Sequence, residues 1–206
     1  MPLGVYNYTV ILTYFGMLVA YAGIACALRG DLHGALVCLM IAGACDMFDG
    51  AIAATKTRTA QEKRFGIQID SLCDLISFGA LPAVIIYRAA DSDASFYISG
   101  FYLLCAVIRL AWFNVDEEER QNISSEARQI YYGLPVTTAA LILPGLAQAR
   151  PLCGLPLGRL GPGALLAMGV AFLSPIPLKK PALPGKIGML VFGGAELLLL
   201  LSGADL

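Results

Sequence analysis

The stretches CDMFDGAIAATK (residues 45–56) and FGIQIDSLCDLISFG (residues 65–79) place four aspartates, Asp46, Asp49, Asp70 and Asp74, inside otherwise apolar sequence. Their surroundings decide how they are read. Of 206 residues, 58% are hydrophobic and only 14% are charged, and the mean hydropathy is +0.72. Such a composition does not fit a water-exposed surface, so the solvent of most of the chain is lipid. An aspartate at the centre of a membrane helix costs about 2.5–3.5 kcal/mol, and four uncompensated ones on the order of 10 kcal/mol. A bound cation is the obvious compensation.

A helix needs about 20 apolar residues to cross the hydrocarbon core. On that rule spans fall near residues 8–28, 32–54, 66–88, 95–114, 133–149, 162–178 and 186–203. The expectation is an all-α, polytopic transmembrane bundle of six to seven spans, one membrane domain over residues 1–206. Pro144, Pro151, Pro156, Pro162, Pro175 and Pro177 interrupt the fifth and sixth spans, so a re-entrant or interfacial segment there is the alternative. The first apolar run lacks a basic leader and a clear cleavage site, and reads as a retained span. With the N-terminus in the cytoplasm, the cytoplasmic loops hold Lys56, Arg58, Lys63, Arg64, Arg120, Arg128, Lys179, Lys180 and Lys186. The opposite side then holds Arg29, Arg88, Arg150 and Arg159, an imbalance that favours this orientation.

Other features read blandly. The run Asp116 to Arg120 is expected to be a solvated helix start between spans. Asn7-Tyr8-Thr9 and Asn122-Ile123-Ser124 match the glycosylation triplet but fall on the cytoplasmic side, as chance matches. Cys26, Cys38, Cys45, Cys73, Cys105 and Cys153 lack paired spacing and read as buried hydrophobes. Near-neutral charge, 14 basic against 15 acidic residues, gives no footprint for nucleic acid.

Asp46 and Asp49 are three apart and Asp70 and Asp74 four apart, so each pair shares a helix face. Asp49 falls roughly 8 Å, and Asp74 roughly 12 Å, inside the cytoplasmic ends of their spans. The two pairs can therefore face each other at one level, open to the cytoplasm. Hard oxygen donors without nearby histidine or cysteine suit Mg²⁺, Mn²⁺ or Ca²⁺, and two metals with shared carboxylates are a recurrent arrangement for phosphoryl displacement. The plain alternative is aspartates paired with Arg58, Arg64 or Arg109 to hold helices together. A divalent-cation transporter is a reading of another class, although it expects acids at several depths. Gly50 and Ala53 clear a surface beside the acids where a base or ribose could lie, and Gly66 extends the Asp70 and Asp74 stripe; close helix packing is the ordinary reason for each small residue. Arg109 sits roughly 8 Å inside the fourth span, where it could pair with a carboxylate or phosphate. Asn114, Tyr132, Thr137 and Thr138 could add neutral hydrogen bonds.

Taken together, Asp46-x-x-Asp49-Gly50-x-x-Ala53 followed by Gly66-x-x-x-Asp70-x-x-x-Asp74 resembles the signature of the CDP-alcohol phosphotransferase family. FGIQIDSLCDLISFG and YYGLPVTT (residues 131–138) further resemble its phosphatidylserine synthase branch. The resemblance implies a six-helix core, a homodimer in a membrane, and transfer of a phosphatidyl group from CDP-diacylglycerol to L-serine with release of CMP. Glycerol 3-phosphate or inositol phosphate would be the alternative acceptors. It further implies two divalent metals, Mg or Mn with Ca as a possible occupant, on Asp46, Asp49, Asp70 and Asp74. Asp74 would act as general base, and Asp49, Gly50, Ala53 and Gly66 would line the nucleotide. Arg58, Arg64, Arg109, Asn114 and Thr137 are the candidates for diphosphate or acceptor contacts. The expected setting is a prokaryotic cell membrane with the site facing the cytoplasm. The family's arginine after the alanine is replaced here by Ala54, and the stretch from Ala54 to Gly66 is longer than usual. Arg58, Lys63 or Arg64 could supply that charge.

Overall fold

The computed structural model describes residues 4–90, 92–123, 130–150, 154–179 and 183–202. Pro151, Cys153, Ser124, Arg128 and Lys180, which entered the sequence reading, lie outside them. The helices are α1 (Tyr8–Leu28), α2 (Leu32–Ala53), α3 (Ala60–Asp74), α4 (Leu81–Ala90), α5 (Asp93–Ile123), α6 (Ala139–Gln148), α7 (Leu157–Phe172) and α8 (Leu183–Leu201). A π-helical turn, Leu75–Ala80, joins α3 to α4. The only strands among the described residues form a short antiparallel pair, β1 (Ile130–Tyr132) with β2 (Pro177–Lys179), in which Tyr131 lies opposite Leu178.

Each early helix starts on a cap that its sequence provides. Asn7 accepts from the backbone N–H of Thr9, and Asp31 from that of Gly34. Thr59 and Glu62 form a reciprocal capping box, which satisfies two of the orphan donors at the start of α3. The Asn7 side chain also donates to Glu62 Oε1 at 2.9 Å, so this triplet asparagine is occupied in structure.

Among the described residues, four helices are long and apolar enough to cross a membrane: Tyr8–Leu28, Leu32–Ala53, the continuous rod Ala60–Ala90, and Asp93–Arg120. The exterior agrees, because large apolar side chains such as Tyr21, Phe96, Tyr97, Trp112 and Leu198 are exposed, which suits lipid and would be a liability in water. The later helices are shorter: Val136–Gln148, Leu157–Phe172 and Gly188–Leu201. The expected fifth span therefore begins later than residue 133, because a 3-10 turn at Val136–Thr138 leads into α6. The expected sixth span ends at Phe172, after which Pro175 and Pro177 lead into β2. The third span begins earlier than residue 66, since the Thr59 cap starts the helix at Ala60.

A second boundary differs from expectation. The run Asp116 to Arg120 is the continuation of α5, a helix end and not a helix start. Arg120 pairs with Glu117 at 2.6 Å one turn away, which supports the helix beyond the apolar stretch.

α1 and α2 pack along their length as an antiparallel pair, and glycine sets their spacing. A Cβ at Gly16 would lie 3.0 Å from Cys45 Cβ, and one at Gly23 would lie 2.7 Å from Cys38 Cβ and 3.0 Å from Leu81. Small residues let membrane helices approach closely enough for backbone-level packing. The core continues through Ala20, Ala27, Ala35, Leu36, Leu39, Phe78, Leu81 and Ile85 to Ala139 and Leu143. Cys45, Cys73 and Cys105 are buried, Cys26 and Cys38 are half-buried, and all five are free thiols.

Gly23→Leu would overpack this contact and is expected to destabilise the bundle by about 1–3 kcal/mol. Thermal unfolding in detergent measures it, with Gly100→Ala as the control because no atom lies within 4 Å of a Cβ there. Equal midpoints for the two variants would contradict the packing described.

Candidate metal and substrate site

The C-terminal third of α2 and the C-terminal half of α3 bring the four aspartates together. One carboxylate oxygen from each of Asp46, Asp49 and Asp70 lies within 4.8 Å of the other two. The carboxyl groups of Asp46 and Asp74 are neighbours, as are those of Asp49 and Asp70. Each helix thus contributes to both contacts, which the i, i+3 and i, i+4 spacings allow only when the two faces oppose.

Two structural devices hold these faces in place. The first is α1, whose Thr13 hydroxyl donates to Asp49 Oδ2 at 2.8 Å. The second is the π turn that begins immediately after Asp74. Such turns shift the phase of a helix and recur at functional sites. The Phe78 carbonyl inside this turn accepts from the fully buried Tyr102 hydroxyl at 2.6 Å.

The donor set fits a hard divalent cation: three carboxylate oxygens converge and no histidine is among them. One sequence expectation needs correction, because thiols are close after all. Cys45 and Cys73 line a small cavity with Asp46, Asp49 and Asp74. They lie outside the group of converging ligand atoms.

On one side of the cluster opens a cavity of about 190 Å³, floored by Gly50, Ala53 and Gly66 and walled by Asp49, Asp70 and Arg58. A Cβ at Gly50 would meet nothing within 4 Å, whereas one at Gly66 would lie 3.2 Å from Arg58 Nη1. The structure therefore gathers Asp49, Gly50, Ala53 and Gly66 in one place and adds Arg58 to them. The loop that carries Arg58 is tied down at several points. Tyr8 and Thr55 share a hydroxyl hydrogen bond of 3.2 Å, Lys56 pairs with Glu62 at 3.2 Å, and Asn7 reaches Glu62 from α1.

The remaining candidates lie elsewhere. Arg64 is exposed on α3 and lines neither cavity. Asn114 accepts from the Ser71 hydroxyl at 2.7 Å and donates to Gln68 at 3.3 Å, in the seam between α5 and α3. Arg109 is buried, and its guanidinium donates to the carbonyls of Tyr132 and Gly133. That turn is built for close approach. Gly133 has φ +72°, and a Cβ there would lie 2.6 Å from the Phe172 carbonyl oxygen. Gly133 and Leu134 donate in turn to Ile176 and Ala171, so the segment is stapled to the end of α7. It leads to Thr137, which borders an apolar groove together with Asp46.

Thr9 and Thr13 are site residues that sequence reasoning missed, and both line the Arg58 cavity. Their i, i+4 spacing on α1 was the available signal, but an isolated hydroxyl in a membrane helix is commonplace.

Fold and site together define an integral membrane helical bundle with a clustered carboxylate site between its second and third helical rods. Residues 6–173 match the family described as CDP-alcohol phosphatidyltransferase, and the chain belongs to that family. The match runs through α7 and leaves out α8. Among relatives, the chain is 29% identical over 147 residues to the CDP-diacylglycerol–serine O-phosphatidyltransferase of Methanocaldococcus jannaschii, covering 71% of this chain and 63% of the relative. It is 33% identical over 125 residues to the archaetidylserine synthase of Methanothermobacter thermautotrophicus, covering 60% of this chain and 50% of the relative. A third, the CDP-diacylglycerol–serine O-phosphatidyltransferase of Saccharomyces cerevisiae, is 34% identical over 111 residues, covering 52% and 39%. The matches thus span less than two thirds of each of these relatives.

Thr13→Val removes a hydrogen bond to a carboxylate, a loss of about 1.5 kcal/mol or roughly tenfold in an equilibrium constant. The expected outcome is Mn²⁺ binding about tenfold weaker by calorimetric titration of the purified protein. Unchanged affinity would show that Thr13 does not orient Asp49 for a cation.

Proposed function

We propose that the protein transfers a phosphatidyl group from CDP-diacylglycerol to L-serine, giving phosphatidylserine and CMP. The observation that carries this reading is the convergence of Asp49, Gly50, Ala53, Gly66 and Arg58 on one cavity that opens beside the carboxylate cluster. The printed activities of the relatives from M. jannaschii and S. cerevisiae support the same donor and acceptor.

In this reading Asp46, Asp49, Asp70 and Asp74 hold two divalent ions, Mg or Mn. When bound, these ions would neutralise phosphate oxygens and stabilise the departing CMP oxygen. The cytidine nucleotide lies over Gly50, Ala53 and Gly66, whose missing or small side chains let a flat group approach. Arg58 pairs with the diphosphate, replacing the guanidinium that Ala54 lacks. The serine hydroxyl oxygen bonds to the phosphorus that bears diacylglycerol, the bond from that phosphorus to CMP breaks, and Asp74 takes the hydroxyl proton. Thr137 offers its hydroxyl to the acceptor. Arg109 acts as a positioning residue, holding the Tyr132–Gly133 turn that carries Thr137, and Asn114 aligns α5 on α3. The whole chain works as one membrane domain, as a homodimer, with the cluster facing the cytoplasm, as the positive-inside count favours.

The test uses purified protein, CDP-diacylglycerol, Mg²⁺ or Mn²⁺, and a panel of acceptors, with lipid products identified by mass spectrometry. CMP release should require both metal and L-serine, and Asp74→Asn should lower it by about 100-fold or more. Arg58→Ala should raise the donor KM by roughly tenfold, and Ala54→Arg in that background should restore it. Product from glycerol 3-phosphate or inositol phosphate but not serine would overturn the acceptor. Divalent-ion flux in proteoliposomes without CMP release would overturn the reaction.

A further inference from the structure

The small cavity beside the carboxylates has a volume of about 10 Å³, and Asp46, Asp49 and Asp74 share it with Ser77. On every helix that lines both, it lies further from the Arg58 loop than the larger cavity does. The lining passes from Thr9 to Gly16 along α1, from Ala53 to Ala42 along α2, and from Gly66 to Ser77 along α3 and the π turn. The cluster therefore separates the two spaces. Of the pair on α3, Asp70 borders the larger cavity and Asp74 the smaller.

Ser77 is only 4% exposed, and its hydroxyl forms no hydrogen bond among the described residues. A hydroxyl in an apolar helix ordinarily bonds to a carbonyl one turn back. Ser95, Ser174 and Ser202 do so here, donating to the carbonyls of Ser92, Ala171 and Leu199. Ser77 differs in lying inside the π turn, and Pro82 explains that turn. Proline has no N–H to donate, and its ring would strike the carbonyl four residues before it, which is that of Phe78. The helix widens instead: the Leu81 N–H donates to Ile76, five residues back, and the released Phe78 carbonyl accepts from Tyr102. Ser77 is thereby held roughly 4.5 Å along the helix from Asp74, at the wall of the small cavity.

We propose that the small cavity binds one water molecule between the Ser77 hydroxyl and the carboxylates of Asp46 and Asp74, and that Ser77 acts through this water as a positioning residue for Asp74. The positioning role rests on the phosphatidyl-transfer reading, in which Asp74 takes the serine proton; the water site stands without it. A space of this size takes about one water, which needs roughly two to four polar partners. Ser77 and the carboxylates supply them. A buried hydroxyl without a partner is costly, and a bridging water removes that cost. A cation belongs on the other side, because its converging oxygens come from Asp46, Asp49 and Asp70, and Asp70 does not reach this cavity. A water that donates to Asp74 fixes how that carboxylate turns, and Ser77 fixes the water.

The experiment has two arms on the full-length protein. In the first, crystals grown with Mn²⁺ should show one ordered water between Ser77 and Asp74, without anomalous signal, and Ser77→Val should remove it by placing a methyl group in the cavity. Manganese at that position, or a cavity closed by side chains with no water, would overturn the site. In the second arm, Ser77→Ala should lower kcat for CMP release about fivefold and leave the donor KM unchanged, because Ser77 does not line the Arg58 cavity. In an Asp74→Asn background the same substitution should cost less than about twofold, since a residue that acts through Asp74 has nothing left to position. Equal losses in both backgrounds would overturn the role, as would a fall in the thermal midpoint of metal-free Ser77→Ala, which marks a purely structural serine. An ordered water at Ser77 in a protein that releases no CMP with any acceptor would leave the water site standing and sink the transfer reaction instead.

Discussion

Four clustered carboxylates, three of them with oxygens within 4.8 Å of one another, in a bundle surrounded by hydrocarbon, set the terms for the rest of this structure. Two like charges about 4 Å apart repel by about 4 kcal/mol at an effective dielectric of about 20. Several such pairs rival the whole stability of a typical domain, about 5–15 kcal/mol. The cluster therefore needs both a rigid frame and a compensating charge. The frame is visible: glycine-spaced packing of α1 on α2, a capping box that starts α3, and a π turn whose buried carbonyl is satisfied by Tyr102. Convergent oxygen donors are what a divalent cation would bridge.

The cluster also divides its surroundings by chemistry. Asp49 and Asp70 border a polar cavity with a guanidinium and a glycine floor, while Asp46 borders an apolar groove. Neither side is built by the aspartate helices alone. The Arg58 loop is anchored by Tyr8 and Asn7 near the start of α1, and the Thr137 segment is held by Arg109 and the end of α7.

The legible part of the site was the part written in charge. Aspartates in apolar sequence carry an unmistakable energetic signal, and their helical spacing placed both pairs on facing surfaces, as the structure shows. The same spacing pointed to Gly50, Ala53 and Gly66, which share one cavity. Neutral contacts were not legible in this way. Thr13 looks like any hydroxyl in a membrane helix until the fold aims it at Asp49. Asn114 bonds to Ser71 and Gln68, and Arg109 to backbone carbonyls, contacts that depend on how α5 lies against α3 and the Gly133 turn. Helix limits failed where capping and packing outweighed hydropathy: Thr59 starts α3 early, the Glu117 to Arg120 pair accompanies α5 beyond its apolar stretch, and Gly133 delays α6.

The most direct measurement is anomalous diffraction from crystals grown with Mn²⁺. The account predicts two peaks among the carboxylates of Asp46, Asp49, Asp70 and Asp74, both lost in Asp49→Asn. An ordered cluster without manganese, or manganese held only at other carboxylates, would contradict it.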